Sequence, residues 1–313
     1  MVFIPFFKKR PARQKVVVIV GPTASGKSSL ALRLAKKFHG VIIGADSRQI
    51  YRQLDIATAK PTKEERGKIP HFMIDIIEPD EEFNVAIYQN TVYNLLDRFA
   101  KENTYRASKI LPIIVGGTGL YIKAVVDGLQ IPRVAPDKDL REKLEGKSLE
   151  KLQKELSKLD PTANVDPKNK RRLIRALEII MTTGQPLSQQ RVMKPPEKFE
   201  FFQLGIKWPK EELYQRIDQR IDVMVQRGLL TETRRLLKAG YNFANEAFSA
   251  LGYQHLEAFL KRKISQKKAL ELMKRDHHHY ARRQLAWFGR DRRIKWIKTP
   301  EIAEKLVAEF LRK

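Results

Sequence analysis

Three short stretches carry residue types at spacings that could do chemistry. The first, Gly21-Pro22-Thr23-Ala24-Ser25-Gly26-Lys27-Ser28, fits the phosphate-loop pattern: two glycines separated by four residues, then a lysine and a hydroxyl. Backbone N–H groups in such a turn converge on an anion, and the helix that follows aims its positive dipole end at the same point. Lys27 adds a charge and Ser28 a hydroxyl that can face Mg2+, so all eight residues are candidates for holding a diphosphate or a nucleotide, with Ser28 the metal contact. The loop alone does not say which phosphate compound it takes; ATP and GTP are open. The second stretch, Asp46-Ser47-Arg48-Gln49, puts a carboxylate where it could hold magnesium, act as a general base or cap a helix. The third, Gly116-Gly117-Thr118-Gly119, allows close backbone approach to a ligand or simply a tight turn.

Each stretch must be positioned by the element before it. Val16–Val20 reads as a buried strand, and Leu30, Leu32 and Leu34 follow in helical order. Val41–Ala45, His71–Ile77 and Ile110–Val115 are further strand candidates, and the spacing of Val85, Tyr88, Val92, Leu95, Leu96 and Phe99 predicts a helix over 83–101. Alternating strands and helices predict an α/β fold, a P-loop NTPase-like parallel sheet flanked by helices. Ligands of such sheets gather at the C-terminal strand edge, so the three stretches are expected to meet there. From 131 to 200 prolines punctuate short charged helices and strand character vanishes, which predicts an inserted helical subdomain. Residues 201–208 return to the sheet, and from Lys210 the chain reads as helical and basic, with Leu213, Ile217, Ile221 and Val225 on an apolar face. The expected organisation is a 1–15 N-terminal extension, a core of 16–130 and 201–313, and the 131–200 insertion.

The 313 residues include 61 lysines and arginines against 36 acidic residues, a net charge of +25. That excess lies far beyond what solubility needs and points to a polyanionic partner. The absence of cysteine excludes disulfides, thiolate zinc sites, iron–sulfur clusters and a cysteine nucleophile, and fits a reducing cytoplasm. No uncharged apolar run is long enough to cross a bilayer, and the opening residues place their apolar patch before their basic ones, the reverse of a secretory signal. His277-His278-His279 invites a metal reading, but three consecutive helical residues point in different directions, so a basic helix surface is expected.

Taken together, GPTASGKS (21–28), DSRQIYRQLDIATAKP (46–61) and GGTGLYIKAVVDGL (116–129) resemble the tRNA dimethylallyltransferase family, also called tRNA isopentenyltransferases. Residues 169–178, Leu251-Gly252-Tyr253 and the segment from Arg283 to Phe288 extend the resemblance, which runs from about 16 to about 297. It implies transfer of a dimethylallyl group from dimethylallyl diphosphate to N6 of adenosine 37, beside the anticodon of tRNA, with release of diphosphate and with Mg2+ as cofactor. The loop would then cradle the diphosphate leaving group, with Lys27 as a catalytic charge. Asp46 is the implied base, and Thr118 would orient the reacting groups. An extruded adenine would be read by Asp46, Ser47, Arg48, Gln49 and Thr118. Arg171, Arg172, Leu173, Ile174 and Arg175 of the insertion, with Arg141, match the tRNA-contacting positions; where this chain has Arg171 the family commonly has glutamine. Eukaryotic relatives often add a zinc finger, which a chain without cysteine lacks, so a bacterial-type, zinc-free, monomeric cytoplasmic enzyme is expected. A small-molecule kinase would leave the charge and the arginine-bearing insertion idle. Isopentenyl transfer to free adenine nucleotides would leave the insertion without work, and an RNA-binding module would not need Asp46.

Overall fold

The computed structural model describes residues 13–105, 109–132, 134–190 and 193–313. Of the expected N-terminal extension, residues 1–12 lie outside the described residues. The first strand, β1 (Gln14–Val20), already includes Gln14 and Lys15, because its pairing with a later strand begins at Gln14. The chain continues through α1 (Lys27–Lys37), β2 (Gly40–Gly44), α2 (Lys63–Lys68), β3 (His71–Phe72), α3 (Val85–Tyr105), β4 (Leu111–Gly116) and α4 (Gly119–Val126). Four helices follow, α5 (Lys138–Glu145), α6 (Leu149–Leu159), α7 (Lys170–Thr183) and α8 (Leu187–Gln190). Then come β5 (Phe199–Ile206), α9 (Lys210–Gln226), α10 (Leu229–Lys238), α11 (Tyr253–Leu260), α12 (Gln266–Phe288), β6 (Lys295–Ile297) and α13 (Pro300–Arg312).

The six strands form one parallel sheet in the order β3-β2-β4-β1-β5-β6. Val16 to Val20 are fully buried, as a central strand of a parallel sheet covered on both faces must be, which is why this run is uniformly apolar instead of alternating. One core cluster joins Val17, Ile19, Ile113 and Leu204 of the strands to Leu30 and Leu34 of α1 and Val307 and Phe310 of α13. A second joins Ile50, Tyr51 and Leu54, just after β2, to Leu213, Ile217 and Ile221 of α9, Leu229 of α10, Tyr253 of α11 and Met273 and Ala281 of α12. The α/β class with a P-loop-like parallel sheet is the architecture observed.

Two compact units divide the described residues: those of 13–122 with 197–313, and those of 123–196. The second has its own core, in which Leu144, Leu152, Leu156, Leu173, Ile174, Leu177 and Ile180 pack between α5, α6 and α7.

Three elements differ from their sequence reading. The expected strand at His71–Ile77 stops at Phe72, because Met73 and Asp75 take positive φ (62° and 54°) and the Asp75 carboxylate turns to meet Lys60 and Arg66. The return strand begins at Phe199, two residues early. The C-terminal part is not wholly helical: β6 adds three residues to the sheet edge, too short for periodicity to announce.

Candidate active site at the rim of the sheet

The sheet order sets the site. Strands β2, β4 and β1 are neighbours, with Gly44 opposite Val115 and Val20 opposite Gly116. Asp46, Thr118 and the Gly21–Ser28 loop, each leaving one of these strands, therefore stand side by side on one edge.

The loop turns through Ala24 (φ 60°) and Gly26 (φ 91°) and enters α1, where Leu30 N donates to Gly26 O at 3.1 Å. Lys27 Nζ donates to Pro22 O at 2.6 Å, folding the ammonium over the loop. Desolvation in the cleft, and then the charge of Arg220, pull Lys27 down to about 7, with Asp46 acting in the opposite sense. Ser28 is exposed in the first turn of α1. Ser25 is buried, and among the described residues its hydroxyl has no partner.

Asp46 Oδ1 accepts from Arg48 N at 2.9 Å, and among the described residues no hydrogen bond reaches Oδ2. Thr118 Oγ1 accepts from Ser47 N at 3.1 Å, and Thr118 N donates to Ala45 O at 3.2 Å. The ends of β2 and β4 are thus tied to each other. The glycines of the third stretch admit other parts of the protein: a Cβ on Gly117 would lie 2.1 Å from Gln284 Nε2, and one on Gly119 2.3 Å from Trp287 Nε1.

Three tyrosines lie within electrostatic reach of the carboxylate. Tyr88 stacks on Tyr121 with centroids 4.1 Å apart. Burial pushes the phenols of Tyr88, Tyr121 and Tyr280 up, Tyr280 to about 12, and the Asp46 charge adds to each. All three stay neutral at physiological pH and can donate hydrogen bonds without taking protons.

Two residues outside the three stretches complete the rim. Arg220 of α9 lies within electrostatic reach of Lys27 and Asp46; burial lowers its pKa and Asp46 partly restores it. Gln284 of α12 is buried, accepts from Thr23 N at 2.8 Å through Oε1 and donates to Gly117 O at 2.9 Å through Nε2, linking the first loop to the third. The segment holding Gln284 is part of the sequence resemblance, but nothing in its spacing points to this bridge.

A family model described as IPP transferase matches residues 49–292, and one described as isopentenyl transferase matches residues 14–75. The chain belongs to the IPP transferase family, that of the tRNA dimethylallyltransferases. The tRNA dimethylallyltransferase of Roseiflexus sp. (strain RS-1) is 43% identical over 281 residues, 88% of this chain and 90% of the relative. Among solved structures, the full-length tRNA isopentenylpyrophosphate transferase of Bacillus halodurans superposes with a TM-score of 0.70 at 34% identity, covering 96% of each chain. A eukaryotic dimethylallyltransferase acting on tRNA gives a TM-score of 0.74 at 29% identity, over 88% of this chain and 70% of that one.

Within this IPP transferase the remaining candidate residues fall into distinct groups. Arg48 is held by Glu246, through its carbonyl at 2.6 Å and its carboxylate at 2.9 Å. Gln49 Nε2 donates to the carbonyls of Thr58 (3.0 Å) and Ala59 (3.3 Å). Arg171 and Arg172 are exposed on α7. Leu173 and Ile174 are not available to a nucleic acid: both are buried in the core between α5, α6 and α7, where the apolar stripe of α7 must point. Arg141 and Arg175 both hold Glu178, which is fully buried: Arg141 at 2.8 and 2.9 Å, and Arg175 at 2.5 Å while also donating to Val134 O. His277 is no surface residue: it is buried and its Nδ1 bonds Met273 O, while His278 stacks on Tyr214 and meets Asp218.

Magnesium suits this rim. Among the described residues no group of three or more His, Cys, Asp or Glu could hold a metal, whereas an exposed hydroxyl beside a phosphate loop fits an ion that takes most of its oxygens from substrate and water.

Proposed function

We propose that this chain transfers a dimethylallyl group from dimethylallyl diphosphate to N6 of adenosine 37 in the anticodon loop of tRNA, releasing diphosphate. The observation that carries this reading is the placement of a phosphate loop, a carboxylate with a free oxygen and a threonine hydroxyl at the ends of three adjacent strands. Family membership supports prenylation of tRNA, and a net charge of +25 suits a polyanionic substrate better than it suits a small-molecule kinase.

In the reaction the bond from C1 of the dimethylallyl group to the diphosphate oxygen breaks and the electron pair leaves with diphosphate, while N6 forms a bond to C1. The barrier is set by charge appearing on the leaving group, so the loop amides, with the charges of Lys27 and Arg220 nearby, would stabilise the transition state. Ser28 would hold the Mg2+, which when bound supplies further neutralisation of the diphosphate. N6 is a feeble nucleophile because its lone pair is delocalised into the purine, and loss of its proton as the bond forms corrects this. Asp46 Oδ2 is the acceptor we assign, since the neighbouring tyrosines are held neutral and Lys27 regains its proton beside a diphosphate. Thr118, held by Ser47 N and Ala45 O, would orient the reacting groups beside the base. The adenine must leave its stack to reach this rim, and Ser47, Arg48 and Gln49 would meet it there. Arg171 and Arg172 would contact tRNA phosphates. We take the enzyme to be a cytoplasmic monomer, a reading that family membership supports.

The test is incubation of the protein, Mg2+ and labelled dimethylallyl diphosphate with unmodified tRNA or with AMP. Label should enter tRNA only; label in AMP and not in tRNA overturns the reading. Asp46→Asn keeps the shape and the bond from Arg48 N but loses basicity, and should lower kcat by about 100-fold or more while tRNA affinity stays within a factor of about two. A wild-type kcat would remove Asp46 from the role of base.

A further inference from the structure

Two consecutive carbonyls of the phosphate loop are gripped from outside by side chains to which the mechanism gives no work. Trp208, on the connection from β5 to α9, donates its indole N–H to the Ser25 carbonyl at 2.9 Å. Arg216, in the second turn of α9, donates Nε–H to the Ala24 carbonyl at 3.1 Å, and its guanidinium lies over the Trp208 ring, 4.4 Å from the centroid. The set is closed: the ring seats the guanidinium, the guanidinium holds one carbonyl, and the ring N–H holds the next.

A trans peptide points its carbonyl and the following N–H in opposite directions. Fixing the Ser25 carbonyl on Trp208 therefore turns the Gly26 N–H toward the inside of the loop, where an anion would lie. Fixing the Ala24 carbonyl on Arg216 likewise sets the peptide that carries Ser25 N–H, which reaches Pro22 O at 3.3 Å. The loop needs such support. Ala24 sits at φ 60°, a left-handed conformation unfavourable to a residue with a Cβ, and the buried Ser25 hydroxyl beside Gly21 has no partner among the described residues. Pairing of Val20 with Gly205 brings the end of β5 level with the start of the loop, so Trp208 reaches it without a detour. Arg220 lies one turn beyond Arg216 on the same face of α9, so one element sets both the loop amides and the neighbouring cation.

We infer that Trp208 and Arg216 are positioning residues that preset the phosphate loop for the departing diphosphate, an inference that rests on the proposed function. They act through the loop backbone and need not touch the substrate.

The test measures binding of inorganic diphosphate with Mg2+ to the full chain by calorimetry, in wild type, Trp208→Phe, Arg216→Met and the double variant. Trp208→Phe keeps a ring under Arg216 and loses only the N–H; Arg216→Met keeps the length and loses the donors. Each should raise the diphosphate Kd about five- to tenfold. The double variant should fall short of the product of the two, because both act on one loop. In the transfer assay KM for dimethylallyl diphosphate should rise while KM for tRNA stays within about twofold. Wild-type diphosphate affinity in either single variant overturns the inference, including the case where only the melting temperature falls, because that is a packing role. Should one single variant fail to fold, the other decides alone. Wild-type protein that binds diphosphate but prenylates no tRNA overturns the functional reading instead, leaving the grip on the loop intact.

Discussion

Lys27 shows how a motif residue takes its chemistry from surroundings that the motif does not contain. A lysine normally titrates near 10.5; here desolvation and Arg220 bring it to about 7, so at pH 8 the free protein holds it largely neutral. A diphosphate placed on the loop favours the ammonium and returns the pKa toward its ordinary value. Binding at pH 8 must then take up a proton, and affinity must fall as pH rises above 7, because the bound state holds more protons than the free one. Calorimetry of inorganic diphosphate binding in buffers of different ionisation enthalpy should report uptake approaching one proton at pH 8, abolished in Lys27→Met. Zero uptake in the wild type would mean that Lys27 is already charged before ligand arrives. The lysine itself was plain in the sequence. Arg220 and Gln284 were not, because each occupies an ordinary place in an amphipathic helix, and only folding brings α9 and α12 to the loop.

Helix α7 shows at the scale of an element how one run of residues serves two purposes. Asn169 caps it by accepting from Arg172 N, and the helix ends at Gly184 in the left-handed conformation (φ 69°), so its length follows from local chemistry. Between these ends the arginines divide: Arg171 and Arg172 face solvent, whereas Arg175, with Arg141 of α5, closes on Glu178. From sequence alone all four arginines invited a phosphate, because a carboxylate three residues along the helix says nothing about its depth. Burial pushes the Glu178 pKa up, but hydrogen bonds from Arg141 and Arg175 outweigh it and the net shift is downward. A carboxylate held below its unfolded value stabilises the fold above pH 4.5, and that contribution is lost as pH falls through the folded value. Arg175→Ala leaves this buried charge half-compensated. It should destabilise the protein by on the order of 2–3 kcal/mol in chemical denaturation, below the roughly 3–5 of a fully broken buried pair because Arg141 remains. Arg172→Ala should change stability by less than about 0.5 kcal/mol. Equal stability of the two variants would show that Glu178 does not depend on Arg175.

For the molecule as a whole, the alternation of strands and helices was legible because each central strand is a continuous apolar run, and the rim followed because parallel strands all end on one edge. What escaped were elements defined by partners instead of pattern: β6, three residues of which only Ile297 is buried, and β3, cut short by the ion pairs of Asp75. Net charge was legible too, but not its allocation, since a cation that holds a buried carboxylate and one that waits for a phosphate look alike in a sequence. Salt separates them. A cation that meets a tRNA phosphate releases about one counterion, and the slope of log Kobs against log salt falls by roughly 0.7–0.9 when that cation is removed. Arg172→Ala should therefore weaken tRNA binding and flatten the slope by about that amount, without moving the melting temperature. Arg141→Ala, measured where it remains folded, should lower the melting temperature and leave the slope nearly unchanged, because the charge it removes already faces Glu178 in the free protein. If the two variants flatten the slope equally, Arg141 meets tRNA as well as Glu178, and the division of labour among the arginines fails.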